Sequence, residues 1–186
     1  MSKSSWIAVT VTAVLIVAGF AAVRGYAADD DSNMPQVGDS APNFTLPNEE
    51  NQPIDLHQYR GHWVVLYFYP KDMTTGCTIE AHNFQRDLDQ YKALNAVILG
   101  VSVDTVDSHK QFCAKDSLTF NLLADPSKNV VKEYGSLGSF GPMKIARRNT
   151  FLINPKGKIV QVWTGVDPNT HSAAVISTLK DMEHKG

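Results

Sequence analysis

The chain has 186 residues, 43% hydrophobic and 19% charged, with two cysteines and a formal net charge of −2. That is the length of one domain with one sizeable core. Two cysteines exclude a disulfide-stapled mini-protein, a four-cysteine zinc ribbon and a cluster-binding ferredoxin, and the lack of basic excess argues against a nucleic-acid partner.

The hydrophobicity is concentrated at the start. Lys3 precedes a charge-free run from Trp6 to Val23, which Arg24 ends before Asp29, Asp30 and Asp31. A basic start, an apolar run and the small residues Gly25 and Ala27 before a polar break read as a secretory signal cleaved after Ala27. The run is also close to the length of a membrane-spanning helix, with Trp6 and Tyr26 flanking it as interfacial aromatics. Both readings stand. Both leave the N-terminus in the cytoplasm and export the remainder to the periplasm or an equivalent compartment. Membrane contact is expected only through residues 6–23, and only if they are retained. Loss of residues 1–27 removes Lys3 and Arg24 and no acid, so the exported chain carries 15 basic against 19 acidic residues, net −4. Residues 28–36 read as a flexible polar lead-in. Residues 37–186, without repeat, low-complexity block or second linker, read as one domain.

Within that domain, residues 53–56 suggest a short strand. The run 63–69 is apolar and aromatic, the signature of a buried strand, and Pro70 ends it. Ile79, Phe84, Leu88, Tyr91 and Leu94 recur at near-helical spacing and predict one helix over 74–94. Residues 96–103 predict a second buried strand. A helix capped by Asp107 or Ser108 runs to about Lys115. Residues 120–124 suggest a strand and 128–134 a short helix ended by Gly135. Residues 150–153 and 158–163, joined by Asn154-Pro155-Lys156-Gly157, predict an antiparallel hairpin. Residues 170–182 form a closing amphipathic helix. The alternation implies an α/β sandwich whose central mixed sheet is flanked by helices.

Chemistry concentrates at Cys77. It follows the turn Pro70-Lys71-Asp72-Met73-Thr74-Thr75-Gly76 between a buried strand and a helix, where α/β folds place functional groups. Unpaired N–H groups and the positive dipole end of a helix N-terminus stabilise a thiolate, the nucleophilic form. Thr74, three residues earlier, shares its helical face. The plain alternative is a small buried hydrophobe; the polar, glycine-containing turn weighs against it.

The stretch Pro70-x-x-x-Thr74-x-x-Cys77 resembles the peroxiredoxin active-site motif. The longer run from Tyr67 to Ala81 is similar to the bacterioferritin-comigratory-protein, or peroxiredoxin Q, branch. So are residues 38–47, Tyr59-Arg60-Gly61 and residues 148–153, in order over about residues 37–183. The resemblance implies a thioredoxin-like fold and a monomeric thiol peroxidase needing no metal, flavin or haem. Its substrates would be hydrogen peroxide and organic hydroperoxides, and its reductant a thioredoxin-like dithiol protein. Cys77 would be the peroxidatic thiolate, Thr74 a hydrogen-bond partner of sulfur and peroxide, and Pro70 a shield against water. Arg148 would hold the negative charge, with Arg147 left on the surface. Glu80 and Lys71 match the branch without a defined role and read as surface residues or local salt-bridge partners.

The branch often carries a resolving cysteine five residues after the peroxidatic one; here that position is His82. A subgroup places it on the following helix, which implies Cys113, 36 residues on, as the resolving thiol. Its disulfide with Cys77 would require local unwinding, since bonded cysteines need Cα atoms about 4.4–6.8 Å apart. The alternative is an inert Cys113 and an external thiol. Zinc or copper binding by His82, His109, Cys77 and Cys113 lacks any supporting Cys-x-x-Cys, and an exposed histidine is the plainer reading. Thiol–disulfide exchange or assembly of exported proteins would want a second cysteine where Glu80 stands. A metal carrier or hydroperoxide sensor is the third function class.

Overall fold

The computed structural model describes residues 34–183. The apolar N-terminal run, with its two readings, lies outside them. No helix among the described residues is long and apolar enough to cross a membrane.

In chain order the elements are β1 (Thr45–Pro47), β2 (Pro53–Asp55), a 3₁₀ turn (Leu56–Tyr59), β3 (Trp63–Phe68), α1 (Thr75–Arg86), α2 (Leu88–Ala93), β4 (Ala96–Ser102) and α3 (Val106–Asp116). They continue with β5 (Asn121–Ala124), α4 (Asn129–Glu133), β6 (Leu137–Phe140), β7 (Met143–Ala146), β8 (Asn149–Ile153), β9 (Ile159–Thr164) and α5 (His171–Glu183). The two apolar runs read from the sequence, β3 and β4, pair in parallel at the centre of a five-stranded sheet of order β5-β4-β3-β8-β9. β8 and β9 join antiparallel, so the sheet is mixed and the fold thioredoxin-like.

Strand alternation sorts the core. Val65, Tyr67 and Tyr69 point into a cluster with residues of α1, α2, α3 and α5. Val64, Leu66 and Phe68 point into the opposite cluster, under α4 and the β1–β2 hairpin. Both faces of β3 are therefore buried, which is why its sequence is a continuous apolar run. Gly100 lies across from Tyr67 in register, and a Cβ there would meet the Tyr67 ring at 2.7 Å. The glycine makes room for the tyrosine beneath α1.

Three details depart from the sequence reading. The helix expected over 74–94 is two helices that meet at Asp87. That carboxylate accepts from Arg86 and from Ser172 Oγ on α5, so tertiary partners hold the break. The α3 cap is Thr105, whose hydroxyl accepts from the Ser108 amide. The β6–β7 hairpin was not legible: its strands are short, and Phe140 and Met143 at its tip are exposed.

Candidate active site

The C-terminal end of β3 leads through Pro70 into α1, whose third residue is Cys77. Because β8 runs antiparallel to β3, with Phe68 opposite Asn149, Arg148 falls at the same edge of the sheet. Residues 71 residues apart thus meet. Arg148 Nη2 donates to Cys77 Sγ at 3.2 Å. Nη1 of the same guanidinium donates to Glu80 Oε2 at 2.6 Å. The approach requires Gly76: a Cβ there would lie 2.8 Å from Arg148 Nη2.

Cys77 is 2% exposed and stands in the first turn of α1. The sulfur thus has a guanidinium against it and stands at a helix N-terminus, the surroundings in which cysteine nucleophiles are found. Burial works against the Arg148 charge, but the Cys77 sulfur and the Glu80 carboxylate more than restore it. Glu80 is 1% exposed, with Oε1 buried and unpartnered. Burial pushes its carboxyl up to about 7, against the pull of Arg148.

Glu80 is therefore neither a surface residue nor a local pair, as the sequence suggested, but the anchor of the arginine. Its spacing of three from Cys77 on one helix was the available signal. Arg147 is half-buried rather than a plain surface charge; its Cγ lies where a Cβ of Gly138 would come within 2.7 Å. Lys71 is exposed and pairs with Asp104.

Thr74 is the residue preceding α1. Its hydroxyl donates to the Lys71 carbonyl at 3.0 Å and makes no capping bond, so it braces the turn before α1 rather than reaching the sulfur as expected. Pro70 is half-buried at the start of the same turn. Cys113 on α3 belongs to the apolar cluster that also holds Cys77, and both are free thiols. Burial pushes the Cys113 thiol up to about 12, so in this packing it is a poor nucleophile.

The histidines do not converge with the cysteines. His82 pairs with Asp116 at 2.9 Å at the surface. His109, read as exposed, is fully buried, with Nδ1 2.8 Å from Asp72 Oδ2. Among the described residues no group of three or more His, Cys, Asp or Glu is placed to hold a metal ion.

With Glu80 where a Cys-x-x-Cys motif would put its second sulfur, the start of α1 carries one nucleophile. One thiol held against an arginine on a thioredoxin-like sheet fits the class of thiol peroxidases. Residues 37–162 match the model of the AhpC/TSA family, and the chain belongs to that family, as a peroxiredoxin of the Bcp/PrxQ branch. Among its relatives, Peroxiredoxin Bcp of Bacillus subtilis is 37% identical over 163 residues, covering 81% of this chain and 98% of the relative. Peroxiredoxin Bcp of Escherichia coli is 33% identical over 150 residues, covering 78% and 96%. The solved structure of a Xylella fastidiosa PrxQ cysteine mutant superimposes with a TM-score of 0.76 at 35% identity, covering 80% of this chain and 98% of that one.

Glu80 sets a pH dependence. Its carboxyl rises from an ordinary 4.5 to about 7 on folding. Between those values the folded chain keeps a proton that the unfolded chain has released, so stability falls as pH rises through the interval. Urea midpoints at pH 5, 6 and 7 are expected to decline in the wild type and to flatten in Glu80→Gln. Equal slopes in the two proteins would remove Glu80 as the cause.

Proposed function

We propose that this peroxiredoxin reduces hydrogen peroxide and organic hydroperoxides through Cys77. The contact between Arg148 and both Cys77 and Glu80 carries the reading, because it puts a fixed positive charge at the attacking atom and beside the leaving oxygen. The Cys77 thiolate attacks one peroxide oxygen; the S–O bond forms as the O–O bond breaks, leaving a sulfenic acid and an alkoxide or hydroxide that takes a proton. In this cycle the Thr74 hydroxyl hydrogen-bonds the sulfur and the attacked peroxide, and Pro70 shields the sulfur from water. Cys113 then attacks the Cys77 sulfur and expels water, forming an intramolecular disulfide. A thioredoxin-like dithiol protein reduces that disulfide by exchange and is itself oxidised. The two electrons that cleave the O–O bond come from the cysteine sulfurs; as proposed, the cycle uses no metal, flavin or haem and acts within one chain as a monomer. The role is antioxidant defence.

Three states of the protein test this. Peroxide consumption is expected to vanish in Cys77→Ser. Peptide mass spectrometry of peroxide-treated wild type is expected to find a Cys77–Cys113 bond, and Cys113→Ser to stop at a sulfenic acid. Undiminished peroxide consumption by Cys77→Ser would overturn the reading.

The same proposal places the enzyme outside the cytoplasm, either freed by cleavage after Ala27 or tethered through residues 6–23. The charge-free run and the acidic residues after it support export. N-terminal sequencing of protein from a fractionated native host is expected to start near Ala28 in the periplasm, or at Met1 in the membrane. Recovery from the cytosol with Met1 intact would contradict export.

A further inference from the structure

A second buried polar cluster joins the loop before Cys77 to the turn of α3 before Cys113. The Asp72 carboxylate accepts from Tyr69 Oη at 2.7 Å, Ser108 Oγ at 2.7 Å and His109 Nδ1 at 2.8 Å. Asp72 and His109 side chains are 1% and 0% exposed. Burial pushes the Asp72 carboxyl up, but its three hydrogen bonds outweigh burial and hold it below its ordinary value. The Asp72 amide donates to Asp104 Oδ2 at 2.9 Å, which ties the same loop to the start of α3. Asp72 sits five residues before Cys77, and His109 four residues before Cys113 on the same face of α3. The pair therefore locks the loop feeding the Cys77 helix to the helix that carries Cys113.

We propose that Asp72 and His109 are positioning residues that latch the two cysteine-bearing elements in the peroxide-reducing arrangement, and that the latch must open before Cys77 and Cys113 can bond. This rests on the Cys77–Cys113 cycle proposed above. Cys77 and Cys113 stand as free thiols on separate helices, and bringing their Cα atoms into the range of a disulfide, about 4.4–6.8 Å, takes local unwinding of one helix or both. Unwinding the start of α1 pulls on Asp72, and moving Cys113 with its turn of α3 pulls on His109. Either route breaks the latch. The latch thus favours the dithiol over the disulfide and delays resolution until peroxide has been cleaved. Burial of the Cys113 thiol acts in the same direction.

The test compares wild type with His109→Leu, which removes the donor, and His109→Asn, whose amide reproduces Nδ1–H. Three readouts are the rate of Cys77 oxidation, the rate of the following disulfide step, and the equilibrium potential of the pair against dithiothreitol. In His109→Leu the disulfide step is expected to quicken about tenfold, and the potential to fall by about 30 mV, the equivalent of a tenfold shift for a two-electron couple. His109→Asn is expected to restore both values. Should His109→Leu fail to fold, Ser108→Ala removes a different donor and is expected to move both readouts in the same direction by a smaller factor. Potentials and disulfide rates within twofold of wild type in a folded variant would overturn the latch alone. Absence of a Cys77–Cys113 bond in the oxidised wild type would overturn both the latch and the cycle on which it rests.

Discussion

One guanidinium organises this enzyme. Arg148 spans the gap between a buried sulfur and a buried carboxylate, and each contact needs the other. Without Glu80 the arginine has no fixed direction; without Arg148 nothing offsets the burial that already raises the Glu80 carboxyl to about 7. The rest of the fold brings these residues together. The antiparallel pairing of β3 with β8 delivers Arg148 to the edge where β3 ends. Gly76 leaves the first turn of α1 bare enough for the guanidinium to cross it. The positive charge is therefore in contact with the sulfur before any peroxide arrives.

Much of this was legible from residue pattern. β3 and β4 are buried on both faces, so their sequences are unbroken apolar runs and their place at the centre followed. The position of Cys77 after a strand and a polar turn marked the chemical edge. What stayed hidden depends on partners distant in sequence. Asp87 breaks a helix because Ser172, 85 residues away, holds its carboxylate. Glu80 looked like a surface residue because its partner lies 68 residues on, across a strand pairing that no local spacing reveals. His109 reads as an ordinary helix histidine until Asp72, 37 residues earlier, is folded beneath it.

The two cysteines occupy contrasting environments within one cluster. Cys77 has a cation against its sulfur, whereas Cys113 is held as a neutral thiol by apolar packing. In the proposed cycle that asymmetry sets the order: the thiol beside the arginine acts first, and the buried one acts only when its helix moves. Of the ion pairs that α3 makes, Asp72–His109 is buried, while His82–Asp116 is exposed on the histidine side and contributes little.

The central claim is that Arg148, fixed by Glu80, supplies the charge that makes Cys77 reactive. Its most direct test is the second-order rate of Cys77 oxidation by hydrogen peroxide in a single turnover, wild type against Arg148→Met. The account predicts a fall of about 10²–10³, the loss typical of removing one preorganised donor from a transition-state charge. A rate within threefold of wild type, in a variant that remains folded, would contradict it.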